Sequence, residues 1–188
     1  MSQTVFADHT VESAPEAARA SMRATTKHFG YLPTAVARMA EAPELLEGFL
    51  RGNALFEAST LDPVAREVLV LTIATRNRCH LCVAIHTARL AALGVPAELV
   101  EALREQRPLA DQRLAAVQRF TLEVLADAGA VPDESLEAFL AHGFTRRNAL
   151  EVVLGIGVYT MSTLANRLTR APLDPPLAAY AWPEPAAA

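Results

Sequence analysis

The sequence contains few of the residues that cross-link a chain or interrupt regular structure. Its 188 residues include 2 cysteines, 8 glycines and 12 prolines, which excludes a disulfide-rich secreted scaffold, a collagen-like chain and a low-complexity chain. Aromatic residues make up 6% of the chain, whereas hydrophobic residues make up 52%, and most of these are alanine and leucine. This composition favours helices over sheets, and the length suits one domain with short appendages.

The chain also lacks a strong excess of one charge and a long apolar segment. The formal net charge is −4 and lysine and arginine are scattered, so a nucleic-acid-binding face is not expected. The longest uncharged stretch, Val152 to Arg167, includes glycine, threonine, serine and asparagine and is too short and too polar for a membrane span. No signal peptide is visible at the N-terminus. We therefore expect a cytoplasmic protein with no membrane partner, in a compartment where thiols stay reduced.

Signals that start and stop helices follow one another along the chain. Asp62-Pro63 is a start signal, and the apolar run from Val64 to Ala74 predicts a buried helix. The other predicted helices cover Glu16 to Phe29, segments beginning near Pro33 and Pro43, and residues 79–93, 96–106, 111–128, 133–142 and 145–170. We predict an all-α fold with an N-terminal arm (1–13), a single helical domain (14–171) and a Pro/Ala-rich tail (172–188) that wraps over the surface or a partner.

Both cysteines lie in one short segment, EVLVLTIATRNRCHLCVAIH, which runs from Glu67 to His86. Cys79, Cys82 and His86 are spaced i, i+3 and i+7, so a helix places them on one face. The cysteines can form a disulfide, and His86 can accept a proton from Cys82 directly or through water. A helix N-terminus, the preceding arginines Arg76 and Arg78, and a nearby imidazole all favour the reactive thiolate.

Glu67 lies on the preceding apolar helix, where a carboxylate needs a partner. It could orient His86 and transfer protons, or it could pair with Arg66, Arg78 or another base.

Other interpretations of this cluster remain open at the level of sequence. The cysteines could be inert packing residues, or Cys79, Cys82 and His86 could bind zinc together with Glu67 or His80. Because structural zinc usually joins two separated ligand pairs, we expect no metal here and no cofactor. His80 lies off the cysteine face, and the remaining histidines are assigned no role: His9, His28 and His142.

The pattern E-x11-C-x2-C-x3-H, from Glu67 to His86, resembles the alkylhydroperoxidase D and carboxymuconolactone decarboxylase family. The segments FGYLPTAVARMAEAPELLEGF before it and FTLEVLADAG and Asn166-Arg167-Leu168 after it are also similar, so the resemblance extends from about Phe29 to Pro175. It implies an alkylhydroperoxidase D-like helical fold, assembled as a homo-oligomer, either a trimer or a hexamer.

The resemblance also implies roles for four residues in a thiol-dependent peroxidase. Peroxide oxidises Cys82 to a sulfenic acid, Cys79 donates a proton and then forms the disulfide, and Glu67 and His86 relay protons. A dithiol or lipoyl-type partner would restore the thiols.

One position departs from the family motif. The alkylhydroperoxidase D motif has a histidine immediately before the second cysteine, where this chain has Leu81, while a histidine occurs one position earlier at His80. Two alternatives stand beside the peroxidase. One is a lactone decarboxylase, against which Cys79 and Cys82 argue because that branch of the family does not need them, and the other is a non-enzymatic thiol redox sensor.

Overall fold

The computed structural model describes residues 5–183 of the chain. Nine α-helices follow one another in this part: α1 (Glu16–Phe29), α2 (Thr34–Met39), α3 (Pro43–Glu57), α4 (Pro63–Arg76), α5 (His80–Ala92), α6 (Ala97–Arg104), α7 (Gln112–Ala126), α8 (Asp133–Ala141) and α9 (Arg146–Leu168). A short 3₁₀ helix, Pro175–Tyr180, comes after α9, and residues 5–183 contain no strand. The all-α prediction is confirmed.

Helix α4 is the central helix of the fold. Asp62 caps its N-terminus by accepting a hydrogen bond from the backbone N–H of Ala65, and Pro63 occupies the first turn, as the start signal predicts. From Val68 to Thr75 every side chain is buried, because α4 packs against α5, α6, α7 and α9. A helix enclosed on all sides can be apolar on all faces, which explains the continuous apolar run in the sequence.

Helix α9 packs closely on α3 and α4. A Cβ atom added to Gly155 would lie 2.6 Å from Cε2 of Phe56 and 2.8 Å from Cδ2 of Leu69, so the approach of the helices requires glycine there. Within residues 5–183, α9 is the one helix whose length and composition would allow it to cross a membrane. Of the apolar 18-residue stretch of α9 that meets this description, 56% is buried inside the protein. That burial is typical of a core helix in a soluble globular domain.

The N-terminal segment packs on the helical body through Arg38, which is 7% exposed. The Arg38 guanidinium donates hydrogen bonds to the carboxylate of Asp8 and to the backbone carbonyls of Thr169 and Arg170. The predicted arm therefore contacts the body through Asp8, and the predicted tail contacts it through Asp174, whose carboxylate accepts hydrogen bonds from Thr34. Their boundaries, at 13/14 and 171/172, stay predictions, and the outermost residues of both segments (1–4 and 184–188) lie outside the described residues.

Candidate active site

The turn between α4 and α5 places the first cysteine at the start of a helix. Arg78 adopts a left-handed conformation with φ 54°, and the backbone N–H groups of Arg78 and Cys79 bond back to the carbonyls of Thr75 and Ala74. This pattern is a Schellman motif, which usually has glycine at the left-handed position. It ends α4 abruptly, so that Cys79 becomes the N-cap residue of α5.

The two cysteines are free thiols in direct contact. Their Sγ atoms are 2.8 Å apart, and the Cys79 Sγ also accepts a hydrogen bond from the backbone N–H of Cys82 at 3.4 Å. Both are buried, with 1% of Cys79 and 3% of Cys82 exposed. The spacing on α5 therefore brings the sulfurs together, as the sequence predicts.

The environment separates the acidities of the two thiols. The hydrogen bond from Cys82 lowers the pKa of Cys79 despite burial, with help from the backbone N–H groups of α5 and from the positive charge of Arg167. The same hydrogen bond and burial raise the pKa of Cys82. One proton shared between the two sulfur atoms explains both the lowered pKa of Cys79 and the raised pKa of Cys82. The guanidinium of Arg167 on α9, which sequence analysis did not name beside Arg76 and Arg78, contributes to this lower pKa.

Glu67 and His86 form a buried pair beside the thiols. The Glu67 Oε2 and His86 Nδ1 atoms are 2.6 Å apart, and each residue is 5% exposed. The predicted contact between α4 and α5 is therefore present. Burial by itself would raise the pKa of the Glu67 carboxyl, but His86 and Arg89 outweigh burial and hold it below its usual value.

Arg89 is a member of this cluster that sequence analysis missed. Its Nη1 atom donates hydrogen bonds to Glu67 Oε1 at 3.2 Å and to Glu57 Oε1 at 2.7 Å. Arg89 lies three residues beyond His86 and seven beyond Cys82, so helical spacing alone places it on the same side of α5. Arg89 is therefore a base that pairs with Glu67, beyond Arg66 and Arg78, the two that the sequence analysis named.

An apolar cavity of about 170 Å³ opens beside the second thiol. Cys82 and His86 line it, whereas Cys79 does not. Most of its wall is aliphatic or aromatic, and includes Phe29, Tyr31, Val36, Met39, Phe49 and Leu50. The edge of the Tyr159 ring meets the His86 ring, with 5.2 Å between the ring centroids. Cys82 is therefore the sulfur that a molecule in the cavity would meet.

Helix α9 adds two polar groups that face the Cys82 sulfur. The Nδ2 atom of Asn166 donates a hydrogen bond to the Sγ atom at 3.3 Å, and the Ser162 side chain, which lines the same cavity, also acts on the pKa of this thiol. Both lower the pKa of Cys82, against the larger opposing effect of Cys79. They favour a negative charge on this sulfur. Ser162 has no signal in the sequence beyond being a polar residue within an apolar helix, whereas Asn166 belongs to the segment Asn166-Arg167-Leu168 that resembles the family.

The segment after α9 forms one wall of the cavity. Asp174 and Leu177 line it, and the Asp174 carboxylate accepts hydrogen bonds from the backbone N–H and the hydroxyl of Thr34. Farther along, Arg104 donates hydrogen bonds to the backbone carbonyls of Tyr180 and Ala181. The segment is therefore held over α5 at two points.

The zinc alternative finds no support in this geometry. Among residues 5–183, no three or more His, Cys, Asp or Glu side chains are grouped closely enough to hold a metal ion. His80 is exposed at the start of α5, so it does not join the buried pair of Glu67 and His86.

Three solved structures share this fold over almost their whole length. The peroxidase-related protein from Ralstonia eutropha JMP134, an alkylhydroperoxidase AhpD core, has a TM-score of 0.81 and 18% identity, covering 94% of this chain and 95% of that one. A peroxidase-related protein from Silicibacter sp. TM1040 has a TM-score of 0.76 and 18% identity, with coverage of 94% and 95%. A cysteine-to-alanine variant of the debrominase Bmp8, in complex with 2,3,4-tribromopyrrole, has a TM-score of 0.73 and 15% identity, with coverage of 95% and 96%.

Fold and site together define an AhpD-like all-α domain built around a pair of free thiols. Residues 41–127, which include all four site residues predicted from the sequence, match the model of the Carboxymuconolactone decarboxylase family. This match and the fold shared with peroxidase-related proteins support the alkylhydroperoxidase D/carboxymuconolactone decarboxylase family. No curated protein matches the chain in sequence.

Proposed function

We propose that the chain is a thiol-dependent peroxidase that reduces organic peroxides at Cys82. The observation that carries this proposal is the contact between two free thiols, 2.8 Å apart, of which Cys82 lines an apolar cavity and Cys79 does not. A peroxide with an apolar substituent fits such a cavity. The peroxidase-related fold of the Ralstonia eutropha and Silicibacter relatives supports the same activity.

The first step requires the shared proton to move to Cys79. The Cys82 thiolate, stabilised by Asn166 and Ser162, then attacks the terminal oxygen of the peroxide. An S–O bond forms as the O–O bond breaks, and the alkoxide that leaves takes a proton from His86, which gives an alcohol and a sulfenic acid on Cys82. A substrate held between the sulfur and the imidazole bridges the two groups.

The second step forms the disulfide. The Cys79 sulfur attacks the sulfenic sulfur of Cys82, and the hydroxyl leaves as water with the proton that Cys79 carried. The sum is one peroxide and two thiols converted to one alcohol, one water and one disulfide. A dithiol of the lipoyl type, entering by thiol–disulfide exchange, would restore the thiols and leave in its own disulfide form.

Peroxide turnover and mass spectrometry with matched cysteine variants test this proposal. With tert-butyl hydroperoxide and dihydrolipoamide, we expect turnover by the wild type and loss of turnover in Cys82→Ser. After stoichiometric peroxide without dithiol, the wild type should carry a Cys79–Cys82 disulfide. Cys79→Ser should instead accumulate a sulfenic acid on Cys82, which dimedone traps. Wild-type turnover in Cys82→Ser, or unreactive thiols in the wild type, would contradict the proposal.

The same assays separate the other functions that the sequence leaves open. A lactone decarboxylase would keep its activity on a lactone substrate in the double Cys79→Ser/Cys82→Ser variant. A redox sensor would form the disulfide with peroxide but show no sustained turnover with dithiol.

Reductive dehalogenation is a second candidate activity, favoured by the aromatic walls of the cavity and by the fold shared with the debrominase Bmp8. In that reaction an aryl bromide and two thiols would yield the arene, hydrogen bromide and the disulfide. Release of bromide from tribromopyrrole with dihydrolipoamide, and its loss in Cys82→Ser, would identify it.

A further inference from the structure

A second cleft opens on the far side of Glu67 from the apolar cavity. It has a volume of about 320 Å³ and is lined by Glu57, Arg66, Glu67, Arg89 and Leu93, among others. Arg89 lines both openings, whereas Glu67 lines the outer cleft and not the apolar cavity, and His86 lines the apolar cavity and not the outer cleft. Because their side chains meet at 2.6 Å, the pair joins two separate openings of the protein.

An unbroken series of polar contacts leads from the outer cleft to His86. Glu57 and Arg89 are 37% and 38% exposed at their side chains and are 2.7 Å apart. The same nitrogen of Arg89 is 3.2 Å from the second carboxylate oxygen of Glu67, whose side chain is 7% exposed. One carboxylate oxygen of Glu67 therefore faces His86 while the other faces a group that water can reach.

We propose that the outer cleft is the proton entrance of the active site, and that Arg89 is the positioning residue that holds Glu67 ionised between the cleft and His86. This inference rests on the proposed peroxidase function. It assigns Arg89 and Glu57 a part in the reaction although neither reaches the sulfur atoms.

The proton balance of the reaction explains why a separate entrance is needed. When two sulfurs share one proton, that proton leaves with the water formed in the second step. The alkoxide formed in the first step therefore takes one further proton from outside in each turnover. Substrate fills the apolar cavity during this step and excludes water from it, so the proton reaches His86 from the Glu67 side.

Charged or titratable groups on four helices surround Glu67, and those on α5 and α3 affect the ionisation of its carboxyl in opposite directions. His86 and Arg89 on α5 favour the carboxylate, and Arg66 on α4 pairs with Glu57 at 3.6 Å. The like charge of Glu57 at the end of α3 disfavours it, and Tyr159 on α9 is held neutral by a pKa that burial raises. Loss of Arg89 and loss of Glu57 should therefore shift the ionisation of Glu67 in opposite directions.

The test compares pH–rate profiles of peroxide-driven disulfide formation in single turnovers. Protonation of Glu67 should produce a break at the acid end of the profile, which is the pH below which the logarithm of the rate falls more steeply. In Arg89→Met this break should move to higher pH by about one unit, since an adjacent cation lowers a carboxyl pKa by about that much or more. Arg89→Lys should restore the wild-type position, and Glu57→Gln should move the break to lower pH.

Two controls separate this inference from a structural effect and from the proposed function itself. Arg119→Met removes a guanidinium from the exposed pair with Glu123 on α7 and should leave the profile unchanged. If Arg89→Met does not fold, the shift of the break to lower pH in Glu57→Gln, against the wild-type position in Arg89→Lys, still tests the point. A wild type whose thiols peroxide does not oxidise would overturn the proposed function. Normal oxidation with an unshifted break in both Arg89→Met and Glu57→Gln, or in Glu57→Gln alone where Arg89→Met does not fold, would overturn the proton entrance alone.

Discussion

Glu67 and His86 meet at 2.6 Å across the packed helices α4 and α5, and both are buried. The carboxylate stays ionised there because His86 and Arg89 together outweigh the burial that would neutralise it. In the proposed mechanism the pair supplies both a fixed charge and a proton path beside the Cys82 sulfur.

The first prediction concerns Glu67→Gln. Loss of the carboxylate should lower the peroxidase rate by about 10²-fold or more, the usual contribution of a general acid–base group. It should also change acid stability. The folded-state pKa of Glu67 lies below that of the unfolded chain, so its ionised form stabilises the protein above about pH 4.3. That stabilisation is lost as the pH falls through the lower, folded-state pKa.

Urea unfolding between about pH 5 and pH 3 measures this effect. The unfolding midpoint of Glu67→Gln should fall less steeply with decreasing pH than that of the wild type. The exposed carboxylate Glu98 on α6 offers a matched control, because Glu98→Gln should keep the wild-type slope. Equal slopes for the wild type and Glu67→Gln would rule out the stabilising role of the buried carboxylate.

The second prediction concerns the close approach of α9 to α3 and α4. In Gly155→Ala the new methyl group would meet Phe56 and Leu69 within 2.6–2.8 Å. Both side chains are fully buried, so neither can move freely, and overpacking should reduce the free energy of unfolding by about 1–3 kcal/mol. Gly48→Ala, at an exposed position of α3, meets nothing within 4 Å and should raise the free energy of unfolding by about 0.5–1 kcal/mol. Urea unfolding of both variants distinguishes packing from helix propensity, and a loss of stability in Gly48→Ala would refute the explanation.

The third prediction concerns the exposed apolar side of α9. Leu150, Val153, Leu164 and Leu168 are 72%, 50%, 56% and 71% exposed, and their spacing aligns them over about 27 Å of helix. The family resemblance predicts a trimer or hexamer, and we expect this side of α9 to be covered by another copy of the chain. Sedimentation velocity should show the oligomer for the wild type and a smaller species for Leu150→Glu/Leu164→Glu.

Leu122→Glu controls for the introduced charge in this experiment. Leu122 is 38% exposed on α7, away from the apolar side of α9, and its variant should sediment like the wild type. A monomeric wild type, or an intact oligomer in the double variant, would show that this side of α9 is not the interface.

The fold and half of the site were predictable because their signals are local in sequence. Asp62-Pro63 marks the start of α4, and the i, i+3, i+7 spacing places Cys79, Cys82 and His86 on one face of α5. The contact between Glu67 and His86 joins consecutive helices, so the motif spacing also indicates it.

The remaining features of the site could not be predicted, because they depend on contacts between distant parts of the chain. Asn166 reaches the Cys82 sulfur from 84 residues away, and the sequence does not state which turn of α9 faces α5. The order of the thiol acidities depends on Arg167 and on the N-cap position of Cys79. That position results from a left-handed turn at Arg78, where the glycine that usually announces such a turn is absent.

The wall formed by Asp174 and Leu177 has a consequence for how this protein can diversify. The reactive atoms are held by α4, α5 and α9, whereas this part of the cavity surface comes from residues beyond the last core helix. Substitutions in that terminal segment can reshape the cavity and leave the thiol chemistry intact. Substrate preference and reactivity can thus evolve independently within one chain.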